Sequence, residues 1–188
     1  MHPLLRLRLG LTLCLALALA LALLPAASSS ADDMAQRLKV VYLFNFTRYI
    51  DWPDASVGDD FAIAVAGDAH LAEALRALEH RDERAEGRPI RVRALDAGSR
   101  FDDAQILFVG AGAVSELPLI RAHTDGKPIL LVGDSPGLAK RGIAINFFLQ
   151  RDILGAGEQL RFEIHPAALD GRGLKVKADL YDVAEIVP

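Results

Sequence analysis

The sequence has one cysteine, Cys14, in 188 residues, and it sits inside the first apolar run. Beyond that run there is no thiol. A disulfide and a cysteine-ligated metal are thereby excluded from the rest of the chain, whose stability must come from core packing. Lipid attachment at Cys14 is disfavoured because Leu13 precedes it where a small residue is needed, and because the apolar run continues past it. Long hydrophobic runs are also scarce: residues 9–24 form one, short of the ~20 residues that span a bilayer, and no second follows. Stable membrane insertion is not expected. Positive charge is in deficit, 21 Lys and Arg against 25 Asp and Glu, which disfavours nucleic acid and anionic lipid as partners. Past the apolar run, the histidines His70, His80, His123 and His165 show no H-x-H or H-x-x-x-H spacing, so no metal site is expected.

What the N-terminus does contain is Arg6 and Arg8, a Leu/Ala run and a small-residue stretch ending in the "SSA" of residues 29–31. This is the pattern of a cleaved secretory signal. Residues 1–31 are therefore read as a signal peptide and residues 32–188 as one exported domain. Losing Arg6 and Arg8 takes the formal charge from −4 to −6. A domain of 157 residues is long enough to bury about 70% of its unfolded surface.

Along that domain, "FAIAVAG" reads as a buried strand, with Asp68 placed to cap the helix "AHLAEALRALEH". "RPIRVRAL" alternates, "QILFVGAG" and "PILLVGD" are strands of the fully buried type, and "VSELPLIRAHTDGK" is a short amphipathic helix with Pro118 near its start. "GIAINFFLQ" and "QLRFEIH", joined by "RDILGAGE", suggest an antiparallel hairpin. In the closing stretch, Leu180, Tyr181, Ala184 and Val187 recur at helical spacing. The expected fold is a three-layer α/β domain: a mixed, largely parallel sheet flanked by helices, with a C-terminal hairpin plus helix.

Three motifs invite chemistry. "VGDSPG" fits G-x-S-x-G, with Asp152 and His165 downstream of Ser135. The residue after the serine is Pro136, which has no N–H for an oxyanion hole, and "LAKRG" is too short for the helix that such an elbow feeds. A Pro-Gly turn explains it better than a serine hydrolase. "FVGAGAVS" holds Gly110 and Gly112 of a dinucleotide fingerprint, but Ser115 replaces the third glycine and Pro118 intrudes. No cofactor is expected. Glu163 and His165 share one strand face, read as a solvent-facing pair, and "EHRDERAEGR" reads as a solvated helix end with a loop.

Aromatic residues are few, yet "KVVYLFNFTRYIDWP" gathers Tyr42, Phe44, Phe46, Tyr49 and Trp52. At ~100° per residue, Leu38, Tyr42, Leu43, Phe46, Tyr49 and Ile50 share an arc that would pack on the sheet. The opposite arc carries Arg37, Thr47, Arg48 and Asp51, but also Val40, Val41 and Phe44, with Trp52 at its margin. Those four either touch the hairpin or C-terminal elements, or form an exposed patch for another protein.

In "KVVYLFNFTRYIDWP", "ILFVG", "ILLVGDSPGLAKRGIAINFFL" and "LRFEIHPAALDGRGLKVKADLYDVAEIV", the chain resembles the YfiR-like family of periplasmic regulators. The resemblance covers nearly all of the exported part. It implies a non-catalytic α/β domain, often a homodimer, that binds the periplasmic sensor domain of an inner-membrane diguanylate cyclase and represses it, lowering cyclic di-GMP and biofilm formation. The apolar patch of Val40, Val41, Phe44 and Trp52 is then the expected partner surface. Family members commonly carry cysteines at the positions of Ala64 and Ala104, so their absence reads as a matched loss that removes redox control. A different class also fits: an exported domain that takes a small ligand where the strands end, at Asp68, Gly110, Asp134 and Ser135, and feeds a membrane sensor or transporter.

Overall fold

A computed structural model of the chain describes residues 28–53, 56–96, 99–101, 103–151 and 157–188. Residues 1–27 of the expected export signal, with Cys14, and residues 152–156, with Asp152, lie outside the described residues. The structure divides into two units, Met1–Met34 and Ala35–Pro188, and the second holds the whole sheet. No helix among the described residues is long and apolar enough to cross a membrane.

The first helix, α1, is Ser28–Tyr49 and leads into β1 (Ile50–Asp51). Next come β2 (Phe61–Ala66), α2 (Ala69–His80), β3 (Arg84–Ala85), β4 (Arg88–Leu95) and β5 (Ile106–Val109). A 3-10 segment (Ala111–Glu116) continues into α3 (Leu117–Thr124) and β6 (Leu130–Gly133). The hairpin β7 (Ile145–Arg151) and β8 (Glu158–Ile164) precedes α4 (Pro166–Asp170), β9 (Lys175–Val176), α5 (Ala178–Tyr181) and β10 (Glu185–Ile186).

Among the described residues, eight strands form one sheet in the order β10-β8-β7-β6-β5-β2-β4-β3. The run β7-β6-β5-β2-β4 is parallel, while β7 and β8 pair antiparallel from Ile145↔Ile164 to Arg151↔Glu158. The central strands are apolar at every position because both faces are covered. On β2, Phe61, Ile63 and Val65 point to the layer of α1 and α2, and Ala62, Ala64 and Ala66 to the layer of α3. The fold is the expected three-layer α/β domain with a mixed, mostly parallel sheet.

Details differ from the sequence reading. The last segment is not one helix: α5 is a single turn, and β9 and β10 are strand pairings on either side of it. β9 pairs antiparallel with β1, and β10 parallel with the end of β8. Tertiary pairing overrides the helical spacing of Leu180 to Val187. Pro118 does not interrupt α3 but occupies its first turn, where its missing N–H would have no partner anyway. The "EHRDERAEGR" stretch is not an open loop. It makes β3 and a two-residue turn with Glu86 at φ 52° and Gly87 at φ 74°, the left-handed pair of a tight hairpin.

The pairing Ala64↔Leu107 puts Ala64 three residues along from the level of Ala104. That is roughly 10 Å of strand, beyond the reach of a disulfide. Both alanines are buried in the same cluster, yet a bridge between these two positions would not close on this backbone, so cysteines placed there could not bond to each other.

Candidate functional site

Helix α1 presents Leu43 and Phe46 inward, both fully buried, with Val40 also in the core. Its aromatic residues meet the hairpin. Tyr42 lies 5.7 Å from Phe147 and 5.3 Å from Phe162, ring centre to ring centre; Phe46 lies 5.9 and 5.4 Å from the same two rings. The crowd of rings is therefore mostly a core face, held in offset and edge-on pairs worth ~0.5–1.5 kcal/mol each beyond burial.

Trp52 belongs to that core as well. It is 6% exposed, stands edge-on to Phe61 at 5.0 Å, and donates its Nε1–H to the carbonyl of Gln105 at 3.2 Å. Gln105 is the polar anchor of this corner: its Oε1 accepts from Ala62 N at 2.7 Å and its Nε2 donates to Ser56 O at 2.8 Å. Of the four residues proposed for a partner surface, Val40 and Trp52 are thus covered by the protein itself. The reason for the misplacement of Trp52 is that α1 ends at Tyr49 and β1 follows, so a helical angle has no meaning three residues further on.

Val41 remains, 53% exposed, with Leu38 a turn before it at 36%. Phe44 is half-buried against the core, and the Arg48 guanidinium lies 4.6 Å from its ring centre. This leaves a narrow apolar stripe bordered by a cation stacked on an aromatic ring.

The loops that follow β2 and β5 touch each other. Gly110 N donates to Ala66 O at 2.8 Å, and a Cβ on Gly110 would come within 2.8 Å of the Asp68 Cβ. Asp68 caps α2 through Leu71 N at 2.8 Å and accepts from Gln36 Nε2 at 3.1 Å. Asp134 accepts from Lys39 Nζ at 2.6 Å, and that ammonium lies 5.8 Å from the Phe108 ring centre. Two side chains of α1 thus occupy the carboxylates that a ligand would use. Ser135 is half-buried in a turn with Gly137 at φ 76°, followed by the 3-10 turn Ala139–Arg141 rather than a helix.

The sequence model of the family described as YfiR/HmsC-like matches residues 36–185. The chain belongs to the YfiR/HmsC-like family. The match begins at Gln36 and so takes in both side chains that hold Asp68 and Asp134. Membership places the protein among periplasmic regulators associated with diguanylate cyclases. The comparison with curated proteins found no significant match.

Within the YfiR/HmsC-like domain, sequence reasoning passed over Gln36, Lys39, Gln105 and Arg172. The first two were legible as polar residues three apart at the head of an apolar helix face. The other two carried no signal, since their partners lie dozens of residues away. Glu163 and His165 are not a solvent-facing pair: Glu163 Oε1 accepts from the buried Asn146 Nδ2 at 3.0 Å, and His165 Nδ1 is buried.

Proposed function

We propose that the protein binds the periplasmic sensor domain of an inner-membrane diguanylate cyclase and represses it, lowering cyclic di-GMP and biofilm formation. The outward stripe of α1, Leu38 and Val41 with Phe44 under Arg48, is the docking surface. What supports this is family membership together with exposed β-branched and aliphatic side chains on a helix whose other face is fully committed to the core. Repression requires only tighter binding to the inactive form of the cyclase. The protein performs no catalysis in this role and acts as a homodimer.

The test is capture of membrane proteins by the purified protein and by Val41→Asp. Position 41 is exposed, so the variant should melt within ~0.5 kcal/mol of the parent while losing about tenfold or more in capture of a cyclase. Full capture by a folded Val41→Asp would sink this choice of surface. Capture of no cyclase by the parent would sink the function, and light scattering that reports a monomer would remove the dimer.

A further inference from the structure

Four cationic side chains line one cleft of about 330 Å³, although the chain as a whole is negative. Arg121 comes from the last turn of α3, Lys140 and Arg141 from the 3-10 turn before β7, and Arg172 from the turn after α4. Asp125 is the one carboxylate in the lining. None of these side chains belongs to the α1 stripe, and neither Asp68 nor Asp134 is in the lining.

Arg172 has structural work already. Its Nη1 donates to Thr124 O at 2.6 Å and reaches Ile129 O at 3.4 Å and Lys127 O at 3.5 Å, while Nη2 lies 3.3 Å from Thr124 Oγ1. Burial lowers its pKa; Asp125 opposes the shift and Arg121 adds to it. Arginine nevertheless stays a cation at any physiological pH. The other three have no ion pair among the described residues. Gly142 sits at φ 92°, and a Cβ there would come within 2.8 Å of Arg121 Nε. The missing side chain is what lets that guanidinium rest against the backbone.

Gathering like charges raises their mutual repulsion and returns nothing to the fold on its own. His165 adds a second sign. Its ring lines the same cleft, and Nδ1 is buried without a hydrogen-bond partner among the described residues, a position that a native structure leaves open only for a reason. The volume lies at the small end of the range for small-molecule sites, about 300–1,000 Å³. Four cations against one carboxylate suit a multiply charged anion, and forked guanidinium donors match phosphate geometry.

We propose that this cleft binds a small phosphate-bearing anion, held by Arg121, Lys140 and Arg141 with His165 as an additional hydrogen-bonding group. The site goes beyond the partner-binding role and stands or falls independently of it.

Titration calorimetry of the purified protein with inorganic phosphate at low ionic strength tests this, with succinate as the carboxylate control. Saturable binding of one phosphate is expected, weakened about tenfold or more by Lys140→Ala combined with Arg141→Ala, as loss of two charge-assisted contacts demands. Both positions are exposed, so the unliganded variant should melt as the parent does. Should the pair unfold, Lys140→Gln alone is expected to show the same direction of loss. No saturable binding up to millimolar phosphate overturns the proposal. So does unchanged affinity in a folded variant, and succinate binding as tightly as phosphate overturns the ligand class.

Discussion

Replacing Trp52 separates a core residue from a partner contact, because the two roles predict opposite readouts. The ring is 6% exposed and edge-on to Phe61, so Trp52→Ala should cost about 3–5 kcal/mol, a large part of the ~5–15 kcal/mol that holds a domain together. Trp52→Phe is the finer probe. It forfeits the Nε1–H bond to Gln105 O, but that carbonyl also accepts from Leu130 N at 2.8 Å and is not orphaned. The hydrogen bond should then count for only ~1 kcal/mol, and the lost ring atoms for another ~1–2 kcal/mol of cavity and contact. At roughly 2–4 °C per kcal/mol for a domain of this size, Trp52→Phe should melt about 4–12 °C below the parent. Urea unfolding followed by circular dichroism gives the free energy. Trp52 is also the sole tryptophan, so parent fluorescence should resist iodide quenching until the chain unfolds. A Trp52→Ala protein with parental stability and lost partner capture would refute the argument and return Trp52 to the surface.

Lys39→Met should destabilise by about 3–5 kcal/mol, since it leaves a nearly buried carboxylate at Asp134 whose Oδ1 already has no partner among the described residues; adding Asp134→Asn should recover part of the loss in urea melts. Gly67→Ala should be among the most damaging single changes, as φ is 74° and the new Cβ would collide with Ala113 N. Gly126→Ala, at φ 63° with open space around it, should cost only about 1 kcal/mol; similar melting of the two variants would contradict this. Burial, and then the nearby Asp170, raise the pKa of Tyr181. The folded state therefore holds the neutral phenol more tightly than the unfolded state does. Its contribution is complete below the ordinary tyrosine value of ~10 and is lost as pH rises through the raised value. Tyr181→Phe should flatten the alkaline part of a stability-versus-pH curve.

The strands of the sheet centre were legible because both faces are covered, which forces continuous apolar runs such as "FAIAVA" and "ILFV", and because a glycine follows each of them, Gly67 and Gly110. The inward face of α1 was legible from its period. Orientation failed where the period stopped, at Trp52, and element type failed where a partner strand decided it, at Glu185 and Ile186. Polar anchoring was the least visible. Gln105 and Arg172 act on backbone groups far along the chain, and the cationic cleft draws on three separate segments; no local pattern records such meetings. The two aspartates after β2 and β6 were found, but not that α1 had claimed them, because that depends on where a helix lies rather than on what it contains.

The pairing of β1 with β9 sets the order in which the molecule can be completed. Ile50 meets Val176, and Lys177 N donates to Tyr49 O at 2.9 Å, so the end of the first helix is fastened by residues from the last fifteenth of the chain. The rings of Tyr42 and Phe46 likewise wait for Phe147 and Phe162. Contacts of such long sequence separation form late. A chain stalled or clipped before residue 147 would carry an aromatic ridge without the rings that cover it, and one clipped before residue 175 would leave β1 without its partner strand.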